Sequence, residues 1–344
     1  MELNRLSVII PFYNSGSYLK ETIDSVVNQL NSEDELILID DGSGDDSLAI
    51  AEKYKEKYDN IVVVHESNHG VSFARNLGLK KCSKEYVLFI DSDDKLKSES
   101  IRIIKENLSS NDLVIFGFDK VIRTKSVSEV IHRSIVSGNL SGGIKGFVEN
   151  LKAEDEDVFL NYIWNRVYKT QVLKENDIAF NEELSLGEDF VFNIEYIKNC
   201  KKIKVLDDCL YEYICRDSNN SLTGKFHNNE VSRRVLMQSA YIGLLESLEC
   251  SLKAYKVFYI VEGCNCINSM KAINKASCKL DNRGKIQYIK GFLLNPCRNY
   301  IISYLSESPG FKNKMLYLFV KTHATILVYF SIVLNGRLKT VRDK

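Results

Sequence analysis

YVLFIDSDD, Tyr86–Asp94, runs from five residues that favour burial straight into four polar ones, three of them carboxylates. A continuous apolar run of this length suits a strand covered on both faces. Carboxylates gathered at its end repel one another unless a cation sits among them. Four further runs of the same kind surround it: LSVII (6–10), ELILI (35–39), IVVV (61–64) and LVIFGF (113–118). The lengths between them suit crossover helices. Tyr18, Leu19, Ile23, Val26, Val27 and Leu30 recur at three- and four-residue spacing, the mark of one buried helical face, with Asn14, Ser15 or Ser17 as caps. A second helix is predicted over about 46–57, after DDGSGDD. The pattern predicts an α/β fold with a parallel sheet.

Open parallel sheets bind ligands at the carboxyl ends of their strands. Three such ends carry the polar residues here: Pro11-Phe12-Tyr13-Asn14, Asp40-Asp41-Gly42-Ser43 and Asp91-Ser92-Asp93-Asp94. A hard divalent cation, Mg²⁺ or Mn²⁺, suits such an edge, because it takes oxygen ligands and shares its coordination with substrate phosphates. Neither a P-loop, nor a G-x-G-x-x-G fingerprint, nor H-E-x-x-H occurs.

The 344 residues, 44% hydrophobic, are ample for a packed core, and 46 basic against 46 acidic residues give a nucleic-acid partner no support. Nine cysteines at irregular spacing read as reduced thiols in a reducing compartment; Cys264, Cys266, Cys278 and Cys297 fit no common zinc spacing. The N-terminal apolar run is short, ends at Pro11 and has no small-residue cleavage site, so it reads as a first strand.

Residues 119–225 are less regular and hold the sole tryptophan, Trp164, and the stretch LSLGEDFVFNIEYI (184–197). The remainder reads as mainly helical. Its apolar stretch MLYLFVKTHATILVYFSIVL (315–334) is diluted by Lys321 and His323, and residues 311–344 hold seven Lys or Arg against one Asp, a net of +6. A helix lying in a membrane interface, against anionic lipid, is the first expectation. A spanning helix and one buried in the globule or a homodimer interface are the alternatives.

VIIPFYN, LIDDGSGDDS, NHGVSFARNLGL (68–79) and YVLFIDSDD, in that order and spacing, resemble the opening of family 2 glycosyltransferases of the GT-A fold. The resemblance extends through Trp164-Asn165-Arg166, Gly187-Glu188-Asp189 and LYEYICRDSNNSLT (210–223), a pattern similar to that of polysaccharide-building members. It implies a GT-A domain over 1–225, with a nucleotide-binding part (1–118) and an acceptor part (119–225); the mainly helical C-terminal region over 226–344 lies beyond the resemblance. It implies that Tyr13 and the backbone near Pro11 hold the nucleotide base and that Asp41 bonds its edge. Arg75 would orient acidic groups or phosphate, and Asp93 would be the main metal ligand. Asp91 would point to ribose, donor sugar or metal, with Asp94 a third member or a structural residue. Asp189 would be the general base, with Glu188 beside it. Trp164 is a candidate sugar platform or a core anchor, and Arg216 with Ser218, Ser221 and Thr223 a candidate diphosphate clamp.

The implied activity is inverting, metal-dependent transfer from a nucleotide-diphosphate sugar, a UDP-sugar first, to a glycan or lipid-linked oligosaccharide of a bacterial surface polysaccharide such as capsule or O-antigen. The implied location is cytoplasmic, free or at the inner face of the membrane. A sugar-1-phosphate nucleotidyltransferase, for which PFYNSGSYLKE lacks the Gly-rich loop, and a non-catalytic scaffold are the alternatives.

Overall fold

The computed structural model describes residues 4–123, 128–133, 143–151, 160–184, 186–216, 226–294 and 296–342. They fall into two compact units, one built from the residues up to Asn150 and those between Asp155 and Asp217, the other from Leu151–Glu154 and the chain from Ser218.

In the first unit the apolar runs become β1 (Leu6–Phe12), β2 (Glu35–Asp41), β3 (Ile61–Glu66) and β4 (Tyr86–Phe89), paired in parallel in the order β3-β2-β1-β4. Leu6, Val8, Ile9, Ile10, Leu36, Ile37, Leu38 and Ile39 are wholly buried, which explains why these strands read as unbroken apolar runs. Pro11 sits inside β1 without disrupting the sheet. Pairing with β4 stops at Ile9 opposite Phe89, so no partner on that side asks Pro11 for an N–H. The crossovers are α1 (Leu19–Val27), α2 (Ser47–Lys57) and α3 (Val71–Lys81). Gly78 lets α3 lie directly against β1: a Cβ there would come within 2.5 Å of Ile9 Cγ2.

The sheet continues through β5 (Lys95–Leu96), β6 (Leu113–Arg123), β7 (Ser128–Arg133), β8 (Arg166–Lys169) and β9 (Ile203–Arg216), giving the order β3-β2-β1-β4-β8-β6-β9-β5 with β7 beside β6. The predicted strand at 113–118 does not lie beside β4. The antiparallel β8 is inserted between them, with Tyr86 opposite Lys169 and Leu113 opposite Tyr168. Six of the nine described strands run in one direction and β5, β7 and β8 against it, and the sheet is flanked by helices, including α4 (Ser100–Glu106), α5 (Gly143–Glu149), α6 (Thr170–Glu175) and α7 (Glu188–Asn199).

The second unit is helical: α8 (Glu230–Ser247), α9 (Leu252–Lys271), α10 (Asn282–Leu294), α11 (Cys297–Glu307), α12 (Phe311–Lys321) and α13 (Thr325–Arg342). Its own core holds Met270, Ile289, Phe292, Ile301, Val320 and Val328. The stretch 315–334 is not the single helix that its composition suggests. It breaks between α12 and α13, where His323 takes a left-handed φ of 57°. Among the described residues no helix is long and apolar enough to cross a membrane.

Candidate functional site

The segment after β4 is held by α1, by the loop that follows β1 and by β9. Thr22 Oγ1 on α1 donates to Ser92 O (2.9 Å), and the Ser15 and Ser92 hydroxyls are bonded at 2.7 Å. Asp91 N donates to the Tyr211 hydroxyl (3.2 Å), which in turn donates to Asp94 Oδ2 (2.9 Å), while Ile214 N donates to Asp94 Oδ1 (2.7 Å). Asp94 is therefore turned into the core, 1% exposed, with both oxygens committed to β9. It occupies the structural of its two expected positions and not one facing a ligand, and burial, then the charges of Asp91 and Asp93, raise its pKa well above the usual carboxylate range.

Asp93 points the other way and is half exposed. Desolvation and the Asp91 carboxylate raise its pKa, opposed by Arg216. Arg216 Nη1 donates to Asp93 O (2.7 Å), lies 3.4 Å from Asp93 Oδ2, and its guanidinium stacks 4.0 Å over the Tyr18 ring. Ser218, Ser221 and Thr223, the other members of the expected clamp, lie outside the described residues.

One side chain ties the metal candidates to the base candidate. Arg75, on α3 and 4% exposed, places Nη1 at 2.8 Å from Asp189 Oδ1 and 3.1 Å from Glu188 Oε1, and Nη2 at 3.2 Å from Asp91 Oδ1. Burial works against its charge, yet Asp189, Asp91 and Glu188 together hold its pKa above the ordinary arginine value. Glu188 and Asp189 open α7 because Gly187, at φ 83°, adopts the left-handed turn before the helix, and acidic residues in a first turn favour the helix dipole. Burial raises the Asp189 pKa well above the usual range, with Arg75 pulling it down and Glu188 and Asp91 pushing it up.

At the neighbouring strand ends, Tyr13 is 52% exposed and Pro11 is buried in β1. Asn14 N donates to Ser43 Oγ (3.0 Å) and Gly44 N to Asn14 Oδ1 (2.8 Å), latching the ends of β1 and β2 together. Asp41 reaches the same edge, but its oxygens accept from His69 N (2.8 Å) and Gly70 N (2.9 Å), fixing the loop that leads into α3 and Arg75. The buried Asp40 accepts from Ser43 N and bonds His65 Nδ1 at 2.7 Å, which gives that histidine a structural role.

Trp164 sits as a core anchor, one of the two roles its residue type left open. It is 2% exposed, stacked with Tyr211, Tyr162 and Tyr213 at centroid distances of 4.5, 4.7 and 5.4 Å, and meets Phe118 edge-on at 4.8 Å. No open face remains for a sugar ring. Two residues to which the sequence reading gave no role stand beside the site. Tyr211 anchors both ends of the Asp91–Asp94 turn, and only its place in LYEY pointed to it. Arg166, wholly buried, donates to Asn165 Oδ1 at 3.2 Å; burial lowers its pKa while Tyr168 and Asp189 raise it.

The donor set fits a hard divalent ion. Asp91 and Asp93 are carboxylates close enough to raise the pKa of Asp93, and a cation beside them would reverse that repulsion. Two carboxylates plus substrate phosphate and water complete the oxygen sphere that Mg²⁺ and Mn²⁺ favour. Among the described residues, three-donor metal geometry occurs elsewhere, at Asp119, His132 and Cys209. There the Asp119 oxygens already accept from Lys97 and bond His132.

Residues 7–176 match the family model described as "Glycosyl transferase family 2". The chain is 32% identical over 218 residues to the uncharacterized glycosyltransferase EpsJ of Bacillus subtilis, covering 63% of this chain and 62% of the relative. It is 28% identical over 288 residues to the poly(ribitol-phosphate) β-N-acetylglucosaminyltransferase TarS of Staphylococcus aureus, covering 83% of this chain and 48% of the relative. The chain thus spans less than two thirds of the length of these relatives. The crystal structure of TarS residues 1–349 in complex with UDP-GlcNAc superposes with a TM-score of 0.64 at 22% identity, covering 97% of this chain and 92% of that one, which shows a shared fold. Through the segment that carries Asp41, Arg75, Asp91 and Asp93, the chain belongs to family 2 of the glycosyl transferases.

Proposed function

We propose that the chain is an inverting, metal-dependent glycosyltransferase that moves a sugar from a UDP-sugar to a hydroxyl of a bacterial surface polymer. The observation that carries the reading is the Arg75 guanidinium, which meets Asp91 on one side and Glu188 and Asp189 on the other. That one side chain joins Asp91 and Asp189, 98 residues apart in sequence, which supports a shared site for metal and base.

The charge count agrees. With every carboxylate ionised, Asp91, Asp93, Glu188 and Asp189 face Arg75 and Arg216, an excess of two negative charges that one divalent ion balances. That ion, held by Asp93 and Asp91, would neutralise charge growing on the departing diphosphate. Asp189 accepts the acceptor hydroxyl's proton as that oxygen attacks the anomeric carbon and the bond to the diphosphate breaks on the opposite face. A positioned base contributes a factor of about 10²–10⁴. Glu188 and Arg75 hold that base in place, and Arg216 faces the leaving group. Tyr13, Pro11 and Asp41 form the base-binding edge.

Relatives named for poly(ribitol-phosphate) glycosyl transfer, and a structural relative crystallised with UDP-GlcNAc, support a UDP-sugar donor and a glycan or polyol-phosphate acceptor. Capsule, O-antigen and teichoic-acid polymers all fit this class. Such a reaction runs in the cytoplasm or at the inner face of its membrane.

The test is incubation with a panel of nucleotide sugars and acceptors, with Mn²⁺ or with chelator, following UDP release and the anomeric configuration of the product by NMR. Metal-dependent release with inversion supports the reading. Retention of configuration, full turnover under chelation, or pyrophosphate release from a nucleoside triphosphate and a sugar phosphate would each overturn it.

A further inference from the structure

Helices α12 and α13 each bury one face and expose an apolar one. On α12, Leu316 and Val320 are buried while Phe311, Met315 and Leu318 are 76, 41 and 54% exposed. At 3.6 residues per turn the exposed three lie roughly opposite the buried pair. The exposed Lys312 falls on one flank of this stripe, and the exposed Lys314 and Lys321 on the other. On α13, Val328, Tyr329 and Ile332 are buried while Ile326, Leu327 and Phe330 are 58, 48 and 53% exposed, again on the opposite side. From Ser308 to Arg342 no acidic residue occurs, against six Lys or Arg: Lys312, Lys314, Lys321, Arg337, Lys339 and Arg342.

Apolar stripes of this kind on two consecutive helices are not scattered surface residues and mark a contact with something else. The flanking lysines choose the partner. A second copy docking the same face in a two-fold arrangement would set lysines against lysines. A protein core would have to desolvate them. At a bilayer boundary the lysine stems lie along the apolar surface while their ammonium groups reach lipid phosphate.

We propose that the outer faces of α12 and α13 form a docking surface for anionic membrane lipid, with Phe311, Met315, Leu318, Ile326, Leu327 and Phe330 entering the acyl boundary. The break at His323 replaces one long interfacial helix with two shorter ones. This inference goes beyond the transfer reading and does not depend on it.

The test is co-sedimentation of the full chain with phosphatidylcholine vesicles and with vesicles that also contain phosphatidylglycerol. Binding is expected to the second kind and to fall as salt is raised. Joint substitution of Lys312, Lys314 and Lys321 by Gln should weaken it about 100-fold, since each basic residue near the surface contributes about fivefold. Joint Phe311→Ser, Leu318→Ser and Phe330→Ser should weaken it at least as much, with the thermal melt of each variant checking that the unit still folds. Absence of binding to anionic vesicles would overturn the proposal, as would equal binding to neutral ones. So would a concentration-dependent dimer in sedimentation velocity that the serine substitutions dissolve, which would assign the face to a second copy. None of these outcomes touches UDP release with a soluble acceptor, so the two readings fail separately.

Discussion

Replacing Arg75 with Met keeps the unbranched stem of the side chain and removes the guanidinium, the one cation among the described residues that meets all three of Asp91, Glu188 and Asp189. Arg75 is 4% exposed, so water cannot take over its role. Deleting one partner of a buried ion pair costs about 3–5 kcal/mol, because the remaining charge stays buried without compensation. For a unit of this size each kcal/mol moves the melting temperature by about 2–4 °C, so the loss should be about 6–20 °C. The pH dependence carries the sharper signature. Without Arg75 the folded-state pKa of Asp189, already raised by burial, rises further, so the folded chain binds more protons than the unfolded one and stability increases as pH falls. The deficit should therefore be largest near pH 7.5 and shrink towards about pH 5.5. Circular dichroism melts of wild type, Arg75→Met and the charge-conserving Arg75→Lys at both pH values read this directly. A variant melting within about 2 °C of wild type near neutrality, or a deficit that grows in acid, refutes the claim that Arg75 compensates a buried carboxylate cluster.

Asp189 works as a base only when ionised, and burial raises its pKa, so kcat/KM should fall with decreasing pH through a value above the ordinary carboxylate range of about 4. Asp189→Asn should remove both this limb and a factor of about 10²–10⁴ in turnover; an acid limb near 4 argues against the assignment. Asp94→Asn should be near-neutral for stability, because the buried group already disfavours its charge, whereas Asp94→Ala should cost about 1–3 kcal/mol in urea unfolding by orphaning Tyr211 and Ile214. Trp164→Ala should cost about 3–5 kcal/mol, while Trp164→Phe leaves the acceptor KM unchanged; a tenfold rise, near 1.4 kcal/mol, would return the ring to the sugar site. In the helical unit, Gly263→Ala should cost about 1–3 kcal/mol, since its Cβ would stand 2.1 Å from Tyr300 O and force α9 and α11 apart.

The strands around the site were legible because their two faces are both covered: β1, β2 and β4 are unbroken apolar runs, and the turn from Ile90 to Asp91 marks where cover ends. The antiparallel β8 was not, since the four residues RVYK offer no period to read and owe their place to β4 and β6 on either side. Residue type left Trp164 and Asp94 undecided for a shared reason. An indole suits a sugar face or a core equally, and a carboxylate suits a metal or a buried hydroxyl equally; the choice lies with Tyr211, about 50 residues from one and 117 from the other. The meeting of Arg75 with Asp189 likewise depends on the sheet bringing α3 and α7 together, which no local pattern records. The helix break at Thr322–Ala324 carries neither Gly nor Pro, the residues that usually announce one.

The most direct measurement is calorimetric titration of UDP into the wild-type chain, Asp93→Asn and Asp189→Asn, each with Mn²⁺ and with EDTA. Binding is expected in the wild type and in Asp189→Asn only when the ion is present, and is expected to be lost in Asp93→Asn. Equal UDP affinity with and without the ion, or unchanged Mn²⁺-dependent binding by Asp93→Asn, would contradict an acidic centre that holds the donor through a divalent cation.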